Sequence, residues 1–193
     1  MKATEDIFRA YDIRGVYGEE LGAEIGERVG LAFGNFLRKQ YNGGKISIGC
    51  DARVSSPELQ MAVSKGVSRA GFDVDIIGMV PIPVANYFTW KSNLNSEEYV
   101  AGVYITASHN PAEYNGIRFR HPDGTGFTEG NVEIKRIFFE EKLIEYDNGT
   151  ISDLSSEEVL EDYMRFVSTK VGNLTGIKVA SVSYTHLTLP TKA

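Results

Sequence analysis

Apolar segments of strand type alternate with amphipathic segments of helix type through the first half of the chain, and this order most constrains its fold. The strand-type runs are residues 45–51, 71–79 and 99–105, and the helix-type patterns are residues 21–41, 57–70 and 84–91. Ser56 is the expected N-cap of the second helix, with Pro57 at its first position. Alternation of this kind predicts an α/β domain with short crossovers.

Three further elements are predicted after the third strand. Residues 115–120 alternate apolar and charged side chains, as a strand with one exposed face does, and residues 121–124 have the composition of a turn. We therefore expect a short hairpin there. Residues 128–143 and 156–171 have helical periodicity, and the polar stretch 145–155 between them reads as a connector.

Composition narrows the class of protein. The chain has 193 residues and a net charge of -6, which argues against a general nucleic-acid binder. No apolar stretch is long enough to span a membrane, and the first residues lack the pattern of a secretory signal, so a cytoplasmic location is the default expectation. The single cysteine, Cys50, lies in an apolar run and is expected to pack in the core.

The sequence Thr-Ala-Ser-His-Asn-Pro, residues 106–111, follows the third predicted strand. It combines the hydroxyl of Ser108, the imidazole of His109 and a turn-forming Asn110 at a strand end. Each residue alone has an ordinary explanation as a loop residue. A second segment, residues 8–15, is rich in side chains that bind anions or stack, among them Tyr11 and Arg14. It ends in what we interpret as a turn, with Gly15 free to take positive φ.

Several of these segments together resemble the α-D-phosphohexomutases, the phosphomannomutase/phosphoglucomutase superfamily. Residues 106–111 match the family's phosphoserine motif in full, and residues 8–15 resemble its N-terminal motif. Residues 49–59 resemble its Gly-x-Asp-x-Arg-x-Ser-x-Pro-Glu-Leu segment, and residues 78–83 resemble its Gly-Met-Val-Pro-Thr-Pro turn. The resemblance extends from residue 7 to about residue 180.

The resemblance implies a three-layer α/β/α fold with a mixed, mostly parallel sheet. It implies a first domain at residues 1–150 and the start of a second, similar domain at residues 151–181. Residues 182–193 resemble a translated sequencing adapter instead, and we exclude them as a non-native tail.

The resemblance also implies roles for individual side chains. Ser108 would carry a phosphoryl group, with Tyr11, Arg14 and Asn110 near it. Arg118 stands where the family has a lysine, and it retains the positive charge without a proton to exchange. Arg53 would support the site or help bind phosphate. His109 would either transfer a proton or position the serine loop, and the sequence leaves both roles open.

The implied reaction moves a phosphoryl group between the 1- and 6-positions of a hexose phosphate, through Ser108 and a hexose 1,6-bisphosphate. The family holds Mg²⁺ with the phosphoserine and an acidic loop that this sequence lacks, which leaves Ser108 as the one protein-derived ligand. We therefore expect the 193-residue chain to be inactive by itself. The full-length protein would be a monomer or a dimer, with no nucleic-acid or membrane partner.

Three alternatives stay open. The first is a phosphoglucosamine mutase, although that branch usually has Gly-Thr-Asp-Gly-Ile-Arg-Gly where residues 8–15 read Phe-Arg-Ala-Tyr-Asp-Ile-Arg-Gly. The second is a phosphosugar-binding module without catalysis. The third, a Ser108–His109 hydrolase dyad, is disfavoured because neighbouring residues of an extended loop point apart and no Gly-x-Ser-x-Gly elbow is present.

Overall fold

One mixed sheet organises the protein. A computed structural model describes residues 4–96, 99–128, 130–172, 175–176 and 178. The strands of these residues, in chain order, are β1 (Ile13–Val16), β2 (Lys45–Cys50), β3 (Asp73–Met79), β4 (Tyr99–Ile105), β5 (Tyr114–Arg120) and β6 (Ile151–Asp153). They lie side by side in the order β1-β5-β4-β2-β3-β6.

The strand directions confirm a mixed, mostly parallel sheet. Strands β4, β2, β3 and β6 are parallel to one another, whereas β5 runs antiparallel to both β4 and β1. Every residue of β4 is buried, as expected for a strand covered on both faces. Cys50 pairs with Ile105 at the carboxyl ends of β2 and β4, so the loops that follow these strands begin side by side.

Helices cover both faces of the sheet, which confirms the three-layer arrangement. They are α1 (Ala23–Leu37), α2 (Ser56–Arg69), α3 (Ile82–Ser96), α4 (Gly130–Glu140) and α5 (Ser156–Lys170). Helices α1, α2 and α4 share one apolar core with the sheet, and α3 and α5 share another. Neighbouring residues of β4 point to opposite layers, with Val103 in the first core and Tyr104 in the second.

Helices α1 and α2 approach closely along a row of glycines, which we call the glycine seam: Gly26, Gly30 and Gly34 of α1 and Gly66 of α2. A Cβ atom on Gly30 would lie 2.3 Å from the carbonyl oxygen of Val63, and one on Gly66 would lie 1.9 Å from that of Glu27. Both distances are far below van der Waals contact. Glycine is therefore required at these positions for the two helix backbones to meet.

The prediction of positive φ at Gly15 was wrong. Gly15 lies within β1, and it is not among the glycines with positive φ. A Cβ atom there would come within 2.9 Å of the Cβ of Glu20. Close approach of a neighbouring side chain, rather than turn geometry, explains the glycine.

Two helix starts differ from the prediction. The backbone N-cap of α2 is Ser55, and its side chain makes no capping hydrogen bond, while Ser56 is the first helical residue. Helix α3 extends over Ile82–Ser96, well beyond the predicted 84–91. Its periodicity is weak because one side packs on the sheet and another packs on α5, where the rings of Tyr87 and Phe166 lie 4.8 Å apart.

The turn predicted after β5 is present, with the amide of Gly124 donating to the carbonyl of His121 at 2.8 Å. The returning arm is a single bridge between Arg120 and Gly126 rather than a paired strand. On the side of β5 that faces away from β4, β1 pairs with residues 114–117.

The polar connector predicted at residues 145–155 contains a strand, because β6 pairs with β3. Asp73 supports this pairing by accepting hydrogen bonds from the backbone and the side chain of Thr150, both at 2.7 Å. Strand β6 thus extends the sheet, and α5 packs on its face. The start of a second domain at residue 151 stays a prediction.

Most of residues 171–181 and the whole tail 182–193 lie outside the described residues. Among the helices that the structure describes, none has the length and apolarity needed to cross a membrane.

Candidate active site

The loops after β2, β3 and β4 meet at the carboxyl edge of the sheet. The amide of Asp51 donates to the carbonyl of Ile105 at 3.0 Å, and the amide of Val80 donates to that of Cys50 at 3.1 Å. These bonds join the three loops directly beyond the strands. The sequence had placed the site at this edge, where α/β proteins generally bind ligands.

Ser108 lies in the loop after β4 with its side chain exposed to solvent. Its φ of 56° makes it the non-glycine residue with positive φ in the described part of the chain. A left-handed conformation costs an L-residue on the order of 1 kcal/mol, so the surrounding structure must hold it. The hydroxyl oxygen lies 2.9 Å from Nδ1 of His109.

The amides of the serine loop, residues 106–113, are partly occupied. The Ser108 amide donates to the Thr106 hydroxyl at 2.9 Å, and the Asn110 amide donates to the Ala107 carbonyl at 3.1 Å. No described residue accepts a hydrogen bond from the amide of His109. Of these three donors, the His109 amide is the one left for a ligand.

The carboxylate of Asp51 organises the loops from below. Its Oδ2 accepts a hydrogen bond from the Thr106 hydroxyl at 2.6 Å, and its Oδ1 accepts one from the Ser56 hydroxyl at 2.6 Å. The amide of Arg53 makes the third of these bonds, also to Oδ1, at 3.1 Å. Sequence reasoning noted all three residues but gave the hydroxyls of Thr106 and Ser56 no role in the site, because their bonds to Asp51 form only where the two loops meet.

Arg53 ties the loop after β2 to the serine loop. Its Nη1 donates to the carbonyls of Pro111 and Tyr114, at 2.6 and 3.1 Å. Its Nη2 donates to those of Ser108 and Asn110, at 3.1 and 2.7 Å. Because these donors already serve the protein backbone, the geometry favours the supporting role predicted for Arg53 over the phosphate-binding one.

Asn115 anchors the start of β5 to the same network and was also missed by sequence reasoning as a site residue. It is fully buried, and its side-chain amide donates to the hydroxyls of Ser55 and Ser56 at 2.8 and 3.0 Å. An asparagine three residues before Arg118 carries no signal of this burial in the sequence by itself.

A cationic cleft of about 470 Å³ lies beside the serine loop, lined by Arg9, Tyr11, Asp12, Arg14, Asn110, Tyr114 and Arg118. Arg14 donates from Nη1 to Oδ1 of Asn110 at 2.8 Å, and its Nη2 pairs with Asp12. The Nε of Arg118 lies 3.9 Å from the same Asp12 carboxylate. Arg14 and Arg118 thus share one carboxylate, and Arg9 also lines the cleft, which leaves net positive charge for an anion.

The predicted site residues therefore fall into two groups. Tyr11, Arg14, Asn110 and Arg118 line the cleft, and Asn110 joins it to the loop that bears Ser108 and His109. Arg53 lies beneath that loop. The structure brings all of these residues to one end of the sheet, and the role of each in binding or catalysis stays a prediction.

Cys50, the last residue of β2, is confirmed as a core residue with 1% of its surface exposed. Burial, with a smaller contribution from the charge of Asp51, raises the pKa of its thiol to about 11. The thiol is therefore protonated at neutral pH and has no nucleophilic character.

The described residues contain no group of three His, Cys, Asp or Glu side chains that could hold a metal ion. The donors near Ser108 are arginines and backbone amides, which suit a phosphate and not a cation. The described residues do not form a Mg²⁺ site by themselves.

A sequence profile of the family described as "Phosphoglucomutase/phosphomannomutase, alpha/beta/alpha domain I" matches residues 5–145. This chain belongs to that family. The matched residues contain every residue of the site described above, from Arg9 to Arg118, so that site lies within the part that defines the family.

Relatives of this phosphoglucomutase/phosphomannomutase domain come from archaea and bacteria. A "probable phosphoglucosamine mutase" of Pyrococcus abyssi is 37% identical over 165 residues, covering 85% of this chain and 35% of the relative. A "phosphoglucomutase/phosphomannomutase" of Thermococcus kodakarensis is 31% identical, covering 86% and 36%. A "phosphomannomutase" of Escherichia coli is 34% identical, covering 81% and 33%.

A solved structure has the same fold. It is a phosphoglucomutase/phosphomannomutase family protein from Burkholderia thailandensis, with a TM-score of 0.74 and 30% identity over 90% of this chain and 37% of its own. The chain thus spans about a third of the length of the relatives it matches. Relatives named for glucosamine, glucose and mannose phosphates have similar identities, so the predicted preference for the mannose/glucose branch stays a prediction.

Proposed function

We propose that this chain is the N-terminal part of a phosphohexomutase in which Ser108 carries the phosphoryl group. One observation carries the proposal: an exposed serine, held in a left-handed conformation, adjoins a cleft that is lined by three arginines and a single carboxylate. A phosphoserine has a charge of about -1.5 to -2 at neutral pH, which such a cleft would balance. The complete protein would act on a hexose phosphate in the cytoplasm.

In the proposed reaction the Oγ–P bond of phosphorylated Ser108 breaks as a sugar hydroxyl oxygen bonds to phosphorus and the proton of that hydroxyl passes to Oγ. The products are a hexose 1,6-bisphosphate and the free Ser108 hydroxyl. The bond between the other phosphoryl group and its sugar oxygen then breaks as Oγ bonds to that phosphorus, and a proton passes to the sugar oxygen. Arg14, Arg118 and the free amide of His109 would hold the phosphoryl oxygens. Mg²⁺, if bound, would withdraw negative charge from the transferring group, with its remaining ligands supplied from outside this chain.

The return step requires the Ser108 hydroxyl to lose its proton. Nδ1 of His109, at 2.9 Å from Oγ, is a suitably placed acceptor, which supports proton transfer with the serine itself. If the imidazole only positions the serine loop, it exchanges no proton with Ser108. In His109→Gln, an unchanged pH profile of phosphoryl transfer would remove the proton-transfer role.

The test uses the extended protein, which we define as this chain continued by the downstream two thirds that its relatives have. After incubation with a hexose 1,6-bisphosphate labelled in its phosphates, we expect label on Ser108 by mass spectrometry. Ser108→Ala should abolish the label, whereas Ser152→Ala, at an exposed serine of β6, should retain it. Tight binding of the bisphosphate with no label on wild-type protein would support a phosphosugar-binding module instead.

The 193-residue chain by itself is expected not to interconvert glucose 1-phosphate and glucose 6-phosphate. Its described residues supply the serine and a cationic cleft, and they contain no group of side chains that could hold a metal ion. A coupled assay that detects turnover by the purified chain would contradict this expectation. The preference for mannose and glucose phosphates over glucosamine phosphate rests on residues 8–15 and is tested by the substrate range of the extended protein.

A further inference from the structure

The backbone of Ser108 is held on both of its sides. Its φ and ψ angles are set by two peptide planes, one carrying the Ser108 amide and the other carrying the Ser108 carbonyl. The amide donates to the Thr106 hydroxyl at 2.9 Å, and the carbonyl accepts from Nη2 of Arg53 at 3.1 Å. With both planes bonded, the left-handed conformation is the one that satisfies the two bonds together.

The bond on the amide side leads back to a charge. The Thr106 hydroxyl that accepts from Ser108 also donates its own proton to Oδ2 of Asp51 at 2.6 Å. A hydroxyl that donates to a carboxylate becomes a stronger acceptor, because hydrogen bonds in a chain polarise one another. Thr106 is 5% exposed, so water competes little for either bond.

Asp51 is itself fixed in orientation. The Ser56 hydroxyl and the Arg53 amide bind Oδ1 at 2.6 and 3.1 Å, which directs Oδ2 toward Thr106. Asp51 follows β2 and Thr106 follows β4, and the paired ends of these strands set the spacing between them. The position of the serine backbone is thereby tied to the rigid centre of the sheet.

We propose that Asp51 and Thr106 are positioning residues for Ser108. The carboxylate acts through the Thr106 hydroxyl, and together with Arg53 it holds Ser108 in the left-handed conformation that presents its hydroxyl to His109 and to solvent. Neither residue touches the reacting atoms. This inference rests on the proposed function, since it assigns the two residues to the phosphoryl-carrying serine.

The structural arm of the test uses the 193-residue chain and a matched pair of buried threonines. Thr106→Val removes the relay hydroxyl but keeps the side-chain shape, and Thr106→Ser keeps the hydroxyl. Thr89→Val is the control, because Thr89 of α3 is also buried and its hydroxyl bonds to that of Ser47 in β2, away from the serine loop. Amide hydrogen exchange, measured by NMR, reports on Ser108 directly.

We expect the Ser108 amide to exchange at least about tenfold faster in Thr106→Val, because its acceptor is lost and the loop opens locally. Thr106→Ser and Thr89→Val should leave it within about twofold of wild type. Equal exchange rates in Thr106→Val and wild type would overturn the relay. If Thr106→Val does not fold, Asp51→Asn weakens the same relay with its shape preserved and must show the same acceleration.

The functional arm uses the extended protein and the rate of label transfer from hexose 1,6-bisphosphate to Ser108. We expect Thr106→Val to lower the maximal transfer rate about tenfold or more while KM changes less than about threefold, since the nucleophile is misplaced and the cleft is intact. Thr106→Ser should recover most of the rate, and Thr89→Val should retain it.

The two hypotheses fail in different ways. Absence of label on wild-type Ser108 would contradict the proposed function while leaving the exchange result as evidence of positioning. Label that arrives at the wild-type rate in Thr106→Val, or as slowly in Thr106→Ser as in Thr106→Val, would contradict the positioning role with the proposed function intact.

Discussion

The glycine seam joins two helices that cover the sheet, and the serine loop is joined to the loop that follows β2. The two contacts are made in different ways. In the seam, α1 and α2 meet through backbone contact with no room for a methyl group, as at Gly30 and Gly66. In the loop, side chains from β2's end bridge gaps by hydrogen bonding, as Asp51 and Arg53 do. The seam is apolar and closed, whereas the loop is polar and leaves its serine exposed.

The difference shows how rigidity can be obtained with and without solvent access. Close packing stabilises the seam because water is excluded and every contact is satisfied within the core. A loop that must present a hydroxyl to a substrate cannot be buried, so charge-assisted hydrogen bonds replace packing there. We therefore expect mutations in the seam to unfold the protein and mutations in the loop to loosen it locally.

Gly30→Ala should have the largest effect on stability. The new Cβ would lie 2.3 Å from the carbonyl oxygen of Val63, so α1 and α2 must move apart. We expect the free energy of unfolding to fall by about 3 kcal/mol, despite the gain of helix propensity of about 1 kcal/mol. Denaturant titration measures the change. Gly172→Ala, where a Cβ meets no atom within 4 Å, is the matched control and should be near neutral.

Arg53→Met should have a smaller effect on stability and a larger one on the loop. Four backbone carbonyls lose their donor, which we expect to lower the free energy of unfolding by between about 2 and 3 kcal/mol. Faster amide hydrogen exchange should be confined to residues 106–114. Val54→Ser, at a fully exposed neighbour, is the control and should change stability by less than about 0.5 kcal/mol. A global loss of protection in Arg53→Met would erase the contrast between the two regions.

Cys50, at the border between core and loop, gives the smallest effect and one that depends on pH. Because burial raises the pKa of its thiol to about 11, the folded state holds the proton more tightly than the unfolded state, where the pKa is about 8.5–9. The contribution to stability is present in full below pH 8.5 and is lost as the pH rises toward 11. By pH 10 we expect wild type to lose about 1.4 kcal/mol more than Cys50→Ala does.

Equal pH dependence of unfolding in wild type and Cys50→Ala between pH 8 and 10 would show that the thiol is not desolvated. That result would extend the polar character of the loop inward to the last residue of β2. Urea titrations at each pH, with both proteins followed by circular dichroism, separate the two outcomes.

Much of the architecture was predictable because local patterns carry it. The bounds of β4 and the buried character of β2 follow from continuous apolar runs, and α1 follows from its periodicity. Helix α3 was predicted too short because burial on two sides removes periodicity. Strand β6 was missed because three exposed residues acquire strand geometry only by pairing with β3.

The candidate site was predictable to a similar degree and for a related reason. A contiguous motif pointed to Ser108, His109 and Asn110, and a second one pointed to Tyr11 and Arg14. Roles that arise between distant segments were not visible, such as the bond from Asn115 to the serines at the start of α2. The residues that flank Asn115 in the chain give no indication of that bond.

The sequence by itself determined the α/β class, the carboxyl-edge location of the candidate site and the identity of its exposed serine, because each is encoded within a short run of residues. Tertiary structure decided that Gly15 belongs to a strand, that Arg53 serves backbone carbonyls and that Asp51 reaches Ser108 through Thr106. The first outcome depends on the pairing of β1 with β5, and the other two depend on distances between segments about sixty residues apart in the chain. Only the pairing of β2 with β4 and the packing of the loops beyond them set those distances.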